Sequence, residues 1–256
     1  MTLSLEYNID LPLKRGAKGK PVKLIQEWLS LNGVGLTIDS SFGPATEAAV
    51  KKFQSKVKLP VTGRVDRATF DSLVAPMKRA TSPLQTTSLN FSQRVVAAAK
   101  VHLKEHPLEV GGPNSGPWVR LYTNGREGAA WAWCAGFVST MLKAAAEDQT
   151  AENSSPIKGS LSCDVLATQA RKAGRFVSEK DLATGVVDRS ALKSGAIFLV
   201  RNKKNANDWT HTGLVTSIFD EYLETIEGNT NDSGDREGYE VCARRRSYKN
   251  MDFIRL

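Results

Sequence analysis

The feature that most constrains this chain is a change of apolar period along its length. Up to about residue 174 the apolar residues recur three and four apart, and from about residue 195 they alternate. The first spacing builds one face of a helix, whereas the second builds one face of a strand. Helices are therefore expected first, with faces such as Val22, Ile25 and Leu29 after Pro21, then over residues 42–54, 65–73, 92–104, 134–146 and 167–174. Strands follow over residues 195–200, 211–219, 222–229, 239–247 and 252–256. Helices followed by an antiparallel sheet make an α+β protein.

A chain of 256 residues is long enough for two cores. Residues 76–90 are polar, rich in Ser and Thr and bracketed by prolines, which reads as a linker. The boundaries that follow are a three-helix bundle over residues 1–75, the linker over 76–90, and a second domain over 91–256. In the bundle, the second and third helices share a Gly-led turn, an Ala-Thr pair and an apolar face, which suggests an internal duplication. The three cysteines, Cys134, Cys163 and Cys242, are too few and odd in number for a disulfide framework. Residues 1–10 lack a basic, apolar leader, and no stretch is long enough to span a bilayer. Synthesis in the cytoplasm without a signal peptide is the expectation.

Chemistry is concentrated at Cys134. It lies in the first turn of the helix whose buried face is Phe137, Val138, Met141, Leu142 and Ala145. There the unpaired N–H groups and the positive end of the dipole favour a thiolate and can donate to an oxyanion. An imidazole on a later strand, His211, can supply the base. On the next strand Glu227 and Asn229, two apart, are expected on one face, and either can orient the ring. Cys163 and Cys242 read as buried structural thiols.

At these residues the chain resembles a family. The Cys-Ala-Gly-Phe-Val helix start, the His-Thr-Gly-Leu-Val strand and the Glu-Gly-Asn strand are similar to those of the CHAP (cysteine, histidine-dependent amidohydrolase/peptidase) domains of phage endolysins and bacterial wall hydrolases. Residues 114–119 and 194–200, and the order Cys, His, Glu, Asn, match that layout. The resemblance covers about residues 92–256. It implies a papain-like domain, a Cys134–His211–Glu227/Asn229 thiol mechanism without cofactor, and cleavage of a peptidoglycan amide. That amide lies in the stem peptide or at the muramoyl-alanine link. Trp133, Trp209, Trp118 and Asn114 are candidate substrate-groove residues.

Residues 11–75 resemble the peptidoglycan-binding type 1 domain. The likeness is carried by Gly16, Gly19, Leu24-Ile25-Gln26, Asp39, Phe42-Gly43, Thr46, Ala49-Val50, Phe53-Gln54, Gly63 and Thr69. Ser40-Ser41 and Thr62-Gly63 depart from the family's turns. Asp39, Phe42, Gly43 and Thr46 are its candidate wall-binding residues. Together the two resemblances imply a monomeric hydrolase acting at the bacterial wall, a phage endolysin first and a bacterial autolysin or secreted effector second. An inactive wall-binding protein is the non-enzymatic alternative.

Three other patterns point elsewhere. Lys and Arg exceed Asp and Glu, 35 to 27, so an anionic partner is expected. The cations are dispersed except for Arg244-Arg245-Arg246, which reads as a solvated sheet edge, so wall material rather than nucleic acid fits. His102-Leu103-Lys104-Glu105-His106 has the H-x-x-E-H zinc spacing, but Pro107 ends the helix and no third ligand stands out, so no metal is expected. Residues 231–238 have calcium-loop composition without the spacing, and read as a solvated hairpin loop.

Overall fold

The architecture is that of a computed structural model, which describes residues 6–84, 88–146, 154–231 and 238–256. Residues 1–5 of the leader reading, 85–87 of the linker and 232–237 of the 231–238 loop lie outside the described residues. The expected α+β order holds, with helices first and an antiparallel six-stranded sheet in the C-terminal half. The chain divides into two compact units, one of Met1–Arg79 with Leu108–Trp131, the other of Ala80–Pro107 with Ala132–Leu256.

The first unit is built on helices α1 (Lys20–Leu31), α2 (Pro44–Lys56) and α3 (Arg67–Leu73). Prolines open α1 and α2, and the Asp66 side chain caps α3 by accepting from the Thr69 N–H at 2.8 Å. Val22, Ile25, Leu29, Val50, Phe53, Phe70 and Leu73 form its core. Two buried glutamines organise the turns between helices. Gln26 donates to Asp39, the Ser41 carbonyl and Thr46, and accepts from the Asp39 and Ser40 N–H groups. Gln54 repeats this one helix later, donating to Thr62, the Arg64 carbonyl and Thr69 and accepting from the Gly63 N–H. The duplication seen in the sequence is thus a repeated amide that satisfies a buried turn.

Helix α4 (Ala75–Ala80) occupies the start of the span expected as linker, because Met77 is fully buried. Residues 108–131 fall within the span expected for the second domain, yet they cluster with the bundle. Trp118 on α6 (Pro117–Tyr122) lies edge-on to Trp28, with ring centres 6.0 Å apart. Arg120 beside it binds Glu6, Glu27 and Glu127 at 2.7, 2.7 and 2.6 Å. Such a desolvated charge cluster holds only when every member is paired.

The second unit carries α5 (Phe91–Glu105), α7 (Cys134–Ala145), α8 (Cys163–Lys172) and α9 (Glu179–Ala183). A reciprocal cap between Asn90 and Gln93 starts α5. The strands are β1 (Phe176–Val177), β2 (Ile197–Asn202), β3 (Asn205–Ile218), β4 (Tyr222–Thr230), β5 (Glu240–Ser247) and β6 (Met251–Ile254), in the order β1-β6-β2-β3-β4-β5. Strand β3 begins six residues before the expected 211, since the polar stretch 205–210 pairs back on β2 through bulges. Helix α8 begins four residues before the expected 167, because Ser162 caps it by accepting from the Val165 N–H.

Two glycines let these elements approach. A Cβ on Gly228 of β4 would lie 2.7 Å from both the Phe137 Cβ and the Trp133 ring, so the start of α7 rests directly on the β4 backbone. A Cβ on Gly213 of β3 would lie 2.8 Å from the Glu227 Cγ and the Phe198 ring. Glu227 and Gly228, adjacent on β4, therefore serve opposite faces of the sheet.

Candidate active site

Cys134 is the first residue of α7 and is 5% exposed. The preceding residue, Trp133, donates its N–H to Asn229 Oδ1 at 2.9 Å, which anchors the helix start to β4. The Cys134 thiol is held well below the ordinary thiol range, first by a hydrogen bond from the Cys163 thiol. Burial opposes this, while a hydrogen bond and the charge of His211 and the backbone N–H of Thr212 add to it. Such surroundings favour the thiolate over the thiol.

His211 on β3 donates from Nε2 to Glu227 Oε2 at 2.8 Å. Its Nδ1 is buried and makes no hydrogen bond. Burial works against charge on the ring, but the proximity of Cys134 and the hydrogen bond and charge of Glu227 raise the imidazole to about 9. Glu227 is fully buried. Burial alone would raise it; Arg246, paired with both its oxygens, and His211 bring it down to about 2 instead. The Thr225 hydroxyl donates to Glu227 Oε1 at 2.6 Å. Gly213, two residues along β3 from His211, leaves the space through which the Glu227 side chain passes.

The structure brings Cys134, His211 and Glu227 together. Asn229 sits at a register shift of β4, with φ of 57°, and its amide reaches the Trp133 N–H rather than lying beside Glu227 on one face. A bulge breaks the strict alternation on which that expectation rested. Trp133 is fully buried against Gly228. Trp209 is also buried, donating its ring N–H to Asp252 at 2.9 Å. Trp118 and Asn114 are buried in the first unit. In that unit Asp39 and Thr46 bind Gln26, Phe42 lies in the core, and Gly43 precedes α2.

Sequence reading missed two members of the cluster. Cys163 is buried, as read, in the first turn of α8, where the Ser162 cap signal would have placed it, and it bears on the ionisation of Cys134. Arg246 is a correction to the solvated-edge reading. Strand β5 is indeed the sheet edge, but only Arg245 of the triplet is exposed, while Arg246 on the other face grips Glu227 and lies over Phe198.

The H-x-x-E-H histidines occupy separate environments. His102 is buried edge-on to Phe137, and burial lowers it to about 4, whereas His106 ends α5 and pairs with Glu240 at 2.7 Å. Among the described residues no group of three or more His, Cys, Asp or Glu side chains is disposed to hold a metal ion.

A buried cysteine biased toward its thiolate, with an imidazole whose Nε2 is held by a buried carboxylate, is an arrangement able to perform nucleophilic thiol chemistry. In the other unit, residues 18–73 match the family described as "Putative peptidoglycan binding domain". Among solved structures, "The crystal structure of SleB N-terminal domain" is 35% identical over 26% of this chain and 93% of that chain, with a TM-score of 0.26. No curated protein matches the chain. Residues 18–73 thus form a peptidoglycan-binding domain. It is a cell-wall-associated protein with peptidoglycan as its partner. No helix among the described residues is long and apolar enough to cross a membrane.

Proposed function

We propose that the protein is a peptidoglycan hydrolase of the CHAP type, a phage endolysin in its most economical reading, in which the wall-binding unit holds the enzyme on its substrate. Retention on the wall raises the local concentration of scissile bonds. The reading is carried by one observation: His211 has Nε2 committed to the buried Glu227 while its buried Nδ1 makes no hydrogen bond, so that nitrogen is the one able to serve a thiol.

In the first half-reaction the Cys134 thiolate attacks an amide carbonyl of the stem peptide or the muramoyl-alanine link. The developing oxyanion is met by N–H groups of the first turn of α7, among them that of Cys134. The His211 imidazolium then protonates the leaving amine, and a thioester remains. In the second half-reaction neutral His211 takes a proton from water, hydroxide adds to the thioester, and the thiolate departs. Glu227 keeps the ring in its tautomer and stabilises the imidazolium. The wall-binding role belongs to the bundle whose turns Asp39, Gly43 and Thr46 shape and whose core includes Phe42.

The test compares wild type with Cys134→Ala on purified bacterial walls. Wild type should release new amino termini, whose mass analysis identifies the cut bond. The variant should release none yet sediment with the wall as before. Amine release by Cys134→Ala rejects the mechanism, and a wild type that sediments without releasing amines rejects hydrolysis altogether.

A further inference from the structure

The Glu227 carboxylate is fully enclosed, yet hydrogen bonds from three different strands converge on it. His211 Nε2 and Arg246 Nη2 donate to Oε2, while Arg246 Nε and the Thr225 hydroxyl donate to Oε1. A guanidinium that gives one N–H to each oxygen fixes the plane of a carboxylate as well as its place. Arg246 reaches Glu227 diagonally across the strand pair, since its own Cα partner on β4 is Leu223 and that of Glu227 on β5 is Cys242. The guanidinium is steadied over the Phe198 ring, 5.4 Å from its centre, and that ring lies 6.0 Å from the His211 ring.

The proposed mechanism takes His211 through two charge states, cationic before the leaving amine is protonated and neutral after it. While the ring is cationic, it balances Glu227 by itself. Once the ring is neutral, Glu227 is a buried anion, and the cation that remains bonded to it is Arg246. The other arginines of β5 are turned elsewhere, Arg244 to the Asn231 carbonyl and Arg245 to Glu224. Cys242, across the pairing from Glu227, is a buried free thiol. Around the strand that carries His211, Asp164 of α8 and Asp252 of β6 accept the backbone and ring N–H of Trp209, and Cys134 of α7 bears on the imidazole.

We propose that Arg246 is a positioning residue of the site, its two N–H groups holding Glu227 as an oriented carboxylate after His211 has given up its proton, so that the neutral ring keeps the tautomer that activates water. The role deepens the proposed hydrolase function and rests on it. It also fixes a direction. A cation beside the Glu227–His211 pair disfavours an added proton, so removing it lets His211 keep its proton to higher pH, whereas removing the Glu227 charge does the reverse.

The experiment is a pH titration of the His211 ring by NMR in the full-length protein carrying isotope-labelled histidine. Wild type, Arg246→Met and Arg246→Lys are compared, with His211→Gln identifying the signal and near-ultraviolet circular dichroism confirming each fold. Arg246→Met should raise the midpoint by about one pH unit. Arg246→Lys, which keeps a cation, should stay near wild type. An Arg246→Met midpoint that is unmoved or lowered overturns the proposal. If Arg246→Met does not fold, an Arg246→Lys midpoint displaced by about a unit in either direction overturns it as well. On purified walls Arg246→Lys, whose single ammonium cannot reproduce the fork, should release amines about tenfold more slowly while sedimenting as before. An undiminished rate overturns the orienting role of the fork. The titration needs no substrate, so a wild type that leaves walls intact counts against the hydrolase reading alone.

Discussion

At the residue scale, the ionisation of Cys134 is biased by groups far from it along the chain, among them His211 and the Thr212 N–H. Glu227 acts through His211, and its carboxylate stays ionised because Arg246 offsets the burial that would otherwise protonate it. Glu227→Gln keeps the shape but removes the charge, so the imidazolium loses a partner and the tautomer is no longer enforced. Wall hydrolysis should fall on the order of 10²- to 10⁴-fold. The pH profile carries the sharper signature. In wild type kcat/KM should rise through the depressed Cys134 ionisation, then decline as His211 loses its proton near 9. In Glu227→Gln the alkaline limb should move to lower pH, and an unmoved limb would show that the carboxylate does not act on His211. The elements that carry Cys134, His211 and Glu227 were legible in the sequence because local spacing placed each on a helix start or a strand. Cys163 and Arg246 were not, because their partners lie 29 and 19 residues away and only packing joins them.

At the scale of elements, the two buried glutamines of the bundle show how a repeated fragment tolerates different turns. Gly63 has φ of 71° and its N–H is taken by Gln54; Ser40 has φ of 62° and its N–H is taken by Gln26. The same left-handed turn thus occurs twice, once with glycine and once with a residue that bears a Cβ. Left-handed backbone costs a non-glycine residue about 1 kcal/mol. Ser40→Gly should therefore stabilise the first unit by about that amount, as read by denaturant midpoint; a loss of stability would mean that the serine side chain carries a compensating contact. The departure from the family's turn was visible in the sequence, but its meaning was not, since no local pattern reveals which side chain satisfies a buried N–H. The same holds for Gly213 and Gly228, whose motifs are plain to read while the Glu227, Phe137 and Trp133 atoms that need the space are not.

At the scale of the molecule, burial of ionisable groups couples folding to pH. His102, neutral and enclosed, has its folded value lowered to about 4, so protons bind the unfolded chain more tightly. Its contribution is present above the unfolded value of about 6.5 and is lost as pH falls toward 4. Glu227, lowered to about 2, contributes above about 4.3 and loses that contribution as pH falls through 2. The melting temperature of the second unit should thus fall in two stages on acidification. His102→Gln, which cannot take up the proton, should remove the upper stage; persistence of that stage would place its origin elsewhere. The chain alone determined the α+β order and the helical bundle, because these follow from periodicity, and its likeness to a peptidoglycan-binding family supplied the wall; Cys134 and His211 were candidates from the elements that carry them. Tertiary structure alone decided that residues 108–131 cluster with the bundle and that Asn229 accepts from the Trp133 N–H while Glu227 accepts from His211. Those outcomes depend on which distant atoms share a desolvated space, and spacing along a chain does not encode that directly.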